Sequence, residues 1–154
     1  MATTEDPIVI VAGARTPMGG FQGVLSNVTA PELGAASIKA VVERGGILGM
    51  AFDAIMMVPG WTHLRSKPSD FQLKIERICD HIDHICQIAG NAKHIGIGTD
   101  LDGGYGTEQT PMDMNSIADL QTLPGLLRAR GYSQDDIEGI MWRNFVDFLR
   151  KTWK

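Results

Sequence analysis

A carboxylate emerging from the end of a buried strand is well placed to move a proton, and Asp100 is such a residue. It lies in K-H-I-G-I-G-T-D-L-D-G-G-Y-G, residues 93–106, where a short apolar run passes directly into an acidic, glycine-rich loop. Asp102, standing before Gly103, reads as a turn residue. As D-x-D-G the pair faintly matches a calcium loop, but the fifth position is Gly104 instead of Asp or Asn and the sixth is Tyr105 instead of the required Gly. The plainer role for Asp100 is to accept hydrogen bonds from loop amides.

Other chemistry-bearing residues carry less. Asp80, His81, Asp83 and His84 have the i, i+3 and i+4 spacing that can hold zinc or nickel on a helix surface. Against the apolar face of Ile78 and Ile82, however, His84 and Asp80 point to solvent and His81 flanks the core, which describes a solvated helix better. His63 falls in a loop, and His94 begins a strand with no visible partner. Cys79 and Cys86 are too far apart along one helix to bridge, so both read as free thiols. Gly13, Gly19, Gly20 and Gly23 match neither of the common phosphate-binding glycine patterns. Met50, Met56, Met57 and Trp61 read as packing residues.

The elements that would position Asp100 alternate strand and helix. A β-branched run at 8–12 predicts a strand buried on both faces, and Thr29 with Glu32 forms a capping box for a helix over 33–44, stopped by Gly45. A strand at 47–52 follows. Ser69 and Gln72 suggest a second capping box, ahead of a helix whose inner face carries Ile75, Ile78, Ile82, Ile85 and Ala89 and which Gly90 ends. The central strand spans 94–98, with Ile95 and Ile97 on one face and the bare Gly96 and Gly98 on the other, where another group can approach the backbone. Short helices are expected near 116–121 and from Pro124 to Gly131. Ser133 then caps a last helix, with Ile137, Ile140, Met141, Phe145, Phe148 and Leu149 on its apolar face and Asn144 as a break. The pattern predicts an α/β fold with an open parallel sheet of about three strands joined by helical crossovers.

A chain of 154 residues with 44% hydrophobic and 21% charged composition suits one soluble domain. A net charge of −4 without basic clusters argues against nucleic acid and anionic membrane as partners. The start lacks the features of a signal peptide, and free thiols suit a reducing cytoplasm, which is the expected location. Exposed strand edges favour pairing with a second copy, so a homo-oligomer is expected.

Two resemblances add to this reading. The run H-I-D-H-I-C-Q-I-A-G-N-A-K-H-I-G-I-G-T-D-L-D-G-G-Y-G-T-E-Q-T-P, residues 81–111, resembles the last barrel strand and its flanks in the membrane (renal) dipeptidases, which are zinc peptidases on a TIM barrel. The likeness runs from about residue 43 to the C-terminus. It implies that Asp100 is the catalytic acid/base that handles the protons of the attacking water and the leaving amine. In that family two zinc ions are held by an early H-x-D, a bridging Glu and two later His, segments this sequence lacks, so neither metal ligands nor cofactor is expected here. A dipeptide is a substrate only if a site is rebuilt. The second resemblance is carried by I-V-I-V-A-G-A-R-T-P-M-G-G-F-Q and E-L-G-A, which look like the N-terminus of the thiolases. It stops before the acylated cysteine of that family, which makes thiolase-like acyl transfer the weakest functional reading. Residues 1–46 then read as a thiolase-like strand-helix unit and 47–154 as a dipeptidase-like barrel fragment, a chimera joined near Gly45. Its function reads as that of an inactive dipeptidase relative, or of a non-catalytic chimeric α/β protein.

Overall fold

Thr29 opens the first helix as its side chain predicts: Oγ1 accepts from Glu32 N (3.4 Å) and Glu32 Oε2 accepts from Thr29 N (2.7 Å). The computed structural model describes residues 27–153; the strand expected at 8–12 and the glycines through Gly23 lie outside the described residues. Helix α1, Ala30–Glu43, packs Ile38 against the core and ends at Gly45, whose φ of +78° is the left-handed conformation that glycine adopts without strain.

Strand β1, Leu48–Met50, pairs in parallel with β2, Ile95–Ile97, placing Leu48 opposite Ile95, Gly49 opposite Gly96 and Met50 opposite Ile97. These are the two strands of the sheet among the described residues. The bare face is filled as the glycines allow. A Cβ on Gly96 would overlap the Phe145 ring, and one on Gly98 would stand 2.9 Å from the Gly49 Cα of the neighbouring strand. Parallel strands need a crossover, and α3, Arg77–Ala89, is part of it. Its Ile78, Ile82 and Ile85 are buried with Ile95, Phe52 and Met57, and Gly90 stops it at φ +71°.

The crossover differs from the expected helix at its start. Ser69 and Gln72 form no capping box. Asp70 Oδ2 instead accepts from Lys67 N (2.8 Å), closing a 3-10 turn at Pro68–Phe71, and Gln72 lies at φ +49°, which breaks the helical path. Ile75 N is then taken by Asp113 Oδ1 (2.8 Å), a partner from the far loop, and regular α-helix begins only at Arg77. A short helix α2, Ala54–Met57, occupies what reads as loop, because Asp53 accepts from Ile55 N and caps it.

After β2 come 3-10 turns at Thr107–Gln109 and Ile117–Thr122, then α4, Leu123–Ala129, with Pro124 in its first turn and Gly131 beyond it at φ +90°. The last helical run splits as Asn144 suggests. Helix α5, Gln134–Glu138, capped by Ser133, passes into a π segment, Gly139–Arg143, and on to α6, Asn144–Thr152. The widened turn accompanies a specific contact: Asn144 Nδ2 donates to the carbonyls of Ala92 and Ile95, each at 2.8 Å. The last run is thereby tied to the start of β2.

Candidate active-site loop

Both strands deliver an aspartate to the same end of the sheet. On the β1 side Phe52 N donates to Thr99 O (3.0 Å), which extends the pairing to the brink of Asp53 and Asp100. Asp100 itself is exposed and sits at φ +59°, a left-handed position that aspartate tolerates better than most side chains. Gly103 N donates to Asp100 O (2.9 Å) to close the turn. A Cβ on Gly103 would lie 3.0 Å from Asp100 Oδ1, so the carboxylate leans over a position that only glycine leaves open. Thr99 Oγ1 accepts from Leu101 N (3.4 Å), and Tyr105 OH donates to Thr99 O (3.3 Å). Burial pushes the Tyr105 phenol up to about 12, and the charges of Asp53, Asp100 and Asp102 push the same way. Tyr105 therefore stays protonated at neutral pH beside the exposed Asp100 carboxylate.

Asp53 is a residue that sequence reasoning missed. It is buried, and its Oδ1 accepts from both Ile55 N (3.1 Å) and Gln109 Nε2 (2.8 Å). Gln109 is also buried, so the pair ties the loop after β1 to the loop after β2. The visible signal was an aspartate directly before A-I-M-M, the pattern of an N-cap.

The histidine and aspartate cluster on α3 serves the fold. Arg130 pairs with Asp83 Oδ2 (2.6 Å), Asp80 Oδ1 (2.7 Å) and Glu76 Oε1 (3.8 Å), while Tyr132 OH donates to Asp83 Oδ1 (2.7 Å). Asp80 thus has a charged partner that its solvent-facing position did not suggest. His81 Nε2 donates to Met57 O (3.2 Å), and His84 is exposed. His94 has a partner after all: its Nδ1 donates to Gly46 O (2.8 Å), bracing the starts of the two strands. Cys79 and Cys86 are free; burial pushes the Cys79 thiol up to about 11 and raises that of Cys86, so neither is an activated nucleophile.

Arg130 holds the Asp80 carboxyl below its ordinary range, against the opposing effect of burial. A depressed folded pKa contributes stability that is present above the unfolded value near 3.8 and is lost as pH falls through the folded value. Arg130→Ala is therefore expected to unfold earlier in urea than the parent at pH 7, with the gap narrowing at pH 3. A gap that is constant between the two pH values would remove Asp80 from this account.

A catalytic zinc takes about three protein ligands and an open water position. Among the described residues no group of three or more His, Cys, Asp or Glu side chains could hold a metal ion. Asp100 and Asp53 have no histidine in their hydrogen-bonded surroundings, and His81 and His94 are spent on backbone carbonyls. Among the described residues the donor set does not fit a zinc pair. Among the described residues, too, no helix is long and apolar enough to cross a membrane.

A parallel strand pair bridged by helix, with a carboxylate at the strands' carboxyl end, is an arrangement also found within α/β barrels. The membrane dipeptidase model (peptidase family M19) matches residues 27–153, and the chain belongs to that family. The match begins inside the segment that reads as thiolase-like. An uncharacterised protein in the pqqA 5′ region of Klebsiella pneumoniae is 29% identical over 118 residues, 76% of this chain and 39% of that protein. The fold is shared with a metallo peptidase from Rhodobacter sphaeroides, solved with a phosphinate mimic of the dipeptide L-Ala-D-Ala, at a TM-score of 0.62 and 23% identity over 77% of this chain and 30% of that one. The chain thus spans about two fifths or less of these relatives. Mitochondrial acetyl-CoA acetyltransferase from Xenopus tropicalis is 54% identical over 46 residues, 30% of this chain and 11% of that protein.

Proposed function

We propose that Asp100 is the proton-handling carboxylate of a dipeptide-hydrolysing site to which these residues contribute one wall, and that the 154-residue chain by itself turns over no dipeptide. The observation that carries the first half is the placement of Asp100: exposed, at the carboxyl end of β2, and fixed by the turn to Gly103. The second half rests on donor count. Without a metal the attacking water keeps its bulk pKa, and general-base help alone contributes about 10²- to 10⁴-fold. The expected result is background hydrolysis of Ala-Ala by the purified chain with added zinc, equal to that of Asp100→Asn, and no stoichiometric metal by elemental analysis. Bound zinc with turnover abolished in Asp100→Asn would refute the inactivity while supporting the role of Asp100.

A second reading is favoured by the identity with acetyl-CoA acetyltransferases over 46 residues. On it, residues 1–46 are a thiolase-like unit fused to a dipeptidase-like segment, and the product is a non-catalytic chimera. Sequencing genomic DNA across the codons for Glu43 to Ile47 tests it, since a fusion requires one continuous frame through the junction.

A further inference from the structure

The two edges of the strand pair differ. The ladder runs through Leu48, Met50 and Phe52, whose backbone groups face β2: Leu48 N donates to His94 O (2.9 Å), Met50 O accepts from Gly98 N (3.2 Å) and Phe52 N donates to Thr99 O (3.0 Å). Backbone groups alternate in direction along a strand, so the outward ones on β2 belong to Ile95 and Ile97. That edge is covered at its start: Ile95 is fully buried, and its carbonyl accepts from Asn144 Nδ2 (2.8 Å). On β1 the outward groups belong to Ile47, Gly49 and Ala51. Among the described residues nothing bonds to them, and Gly49 is exposed in mid-strand. An open edge of this kind is a template for one more strand.

The same chain carries a segment that fits it. Residues 8–12, I-V-I-V-A, are a continuous apolar run that needs a backbone partner and cover on both faces. Helix α1 is joined to β1 through residues 44–47 alone and packs Ile38 against the core, so it lies back along the sheet. Its 14 residues span about 21 Å, which puts Thr29 near the carboxyl end of the sheet. A strand parallel to β1 ends there too. Residues 13–28 reach about 50 Å when extended, ample to join the two. One side of β1 is taken by β2, and a crossover through α1 leads to the other.

We infer that residues 8–12 form a third parallel strand on the open edge of β1, with Ile10 opposite Gly49. In this register Gly49 N and Ala51 N donate to the carbonyls of Val9 and Val11, while the amides of Val9 and Val11 donate to Ile47 O and Gly49 O. Ile10 takes the space beside Gly49, on the face where the Phe145 ring lies 3.5 Å from the place of a Gly49 Cβ. Val9 and Val11 join Leu48 and Met50 on the core side. From Gly13 the chain leaves the sheet at the end that carries Asp53 and Asp100, adding a further segment beside them. The contact closes the edge to a second copy, and it holds whether or not Asp100 takes part in hydrolysis.

Amide hydrogen exchange of the full chain, read residue by residue by NMR, is the test. Gly49 and Ala51 amides are expected to exchange at least about tenfold more slowly in the parent than in Val11→Pro, where residue 11 has no N–H to give Gly49 O. Ile10→Pro fixes the register. The residue 10 amide faces away from β1, an edge position that proline tolerates, so protection at Gly49 and Ala51 should persist. Protection lost in Ile10→Pro and kept in Val11→Pro would overturn the inferred register. In a one-to-one mixture of isotope-labelled and unlabelled chains, NOEs joining residues 8–12 to residues 47–51 should arise within the labelled chain. NOEs between the two kinds of chain would put a second copy on the edge and overturn the inference. So would Gly49 and Ala51 amides that exchange in the parent as fast as exposed loop amides, a measurement that stands even if Val11→Pro fails to fold.

Discussion

Gly98→Val is expected to destabilise the chain by about 3 kcal/mol, the upper part of the range for overpacking a tight interior. The obstacle is backbone. A Cβ at Gly98 would stand 2.9 Å from the Gly49 Cα and 3.3 Å from its carbonyl carbon, atoms fixed by the ladder that joins β1 to β2. They cannot retreat unless the strands part, and Gly98 N then loses its bond to Met50 O (3.2 Å). Gly96 makes a useful contrast, because the group over it is the Phe145 ring, a side chain that can swing away. Gly96→Ala should cost less, and Phe145→Ala should recover part of that loss while doing nothing for Gly98→Val. Urea denaturation of the four chains checks this. An unchanged midpoint for Gly98→Val would mean that the strand pair does not constrain the fold.

Asp53→Ala is expected to cost about 2–4 kcal/mol. Loss of the cap to Ile55 N accounts for about 1 kcal/mol, and leaving the buried Gln109 amide without its acceptor accounts for about 1–3 kcal/mol more. Asp53→Asn keeps an oxygen that can accept both bonds and should cost far less. A double-mutant cycle of Asp53→Ala with Gln109→Ala should give a coupling of about 1–2 kcal/mol, since each single change removes the same contact. Additive losses would show that the two loops stand independently. In the Asp53→Ala chain the Tyr105 phenol should titrate lower than in the parent while remaining above its ordinary value, because burial, the larger cause, is untouched.

Local signals were legible in the sequence at several helix ends, where a residue acts on its own neighbours. Thr29 and Glu32, Ser133 and Asp136, and the glycines at 45, 90 and 131 mark helix ends through bonds and dihedrals that span four residues or fewer. The alternation in I-G-I-G told which face of β2 would be bare, because side chains on a strand alternate strictly. Asp100 stood out for the same local reason, as the first carboxylate after a strand.

Where the deciding partner is distant in sequence, only the tertiary structure could speak. The start of α3 moved to Arg77 because Asp113, 38 residues away, takes Ile75 N. The capping box read at Ser69 and Gln72 is an exception, since it gave way to Lys67 and Asp70, an equally local pair. The ligand-like set on α3 became an ion-pair anchor because Arg130 reaches back 47 residues to Asp83. Asp53 gained its role through Gln109, 56 residues on. Sequence alone determined the Thr29 and Ser133 caps, the helix stops at Gly45, Gly90 and Gly131, the bare strand face and the place of Asp100. Tertiary packing decided which polar groups share a partner, because a buried donor must find an acceptor wherever the fold supplies one.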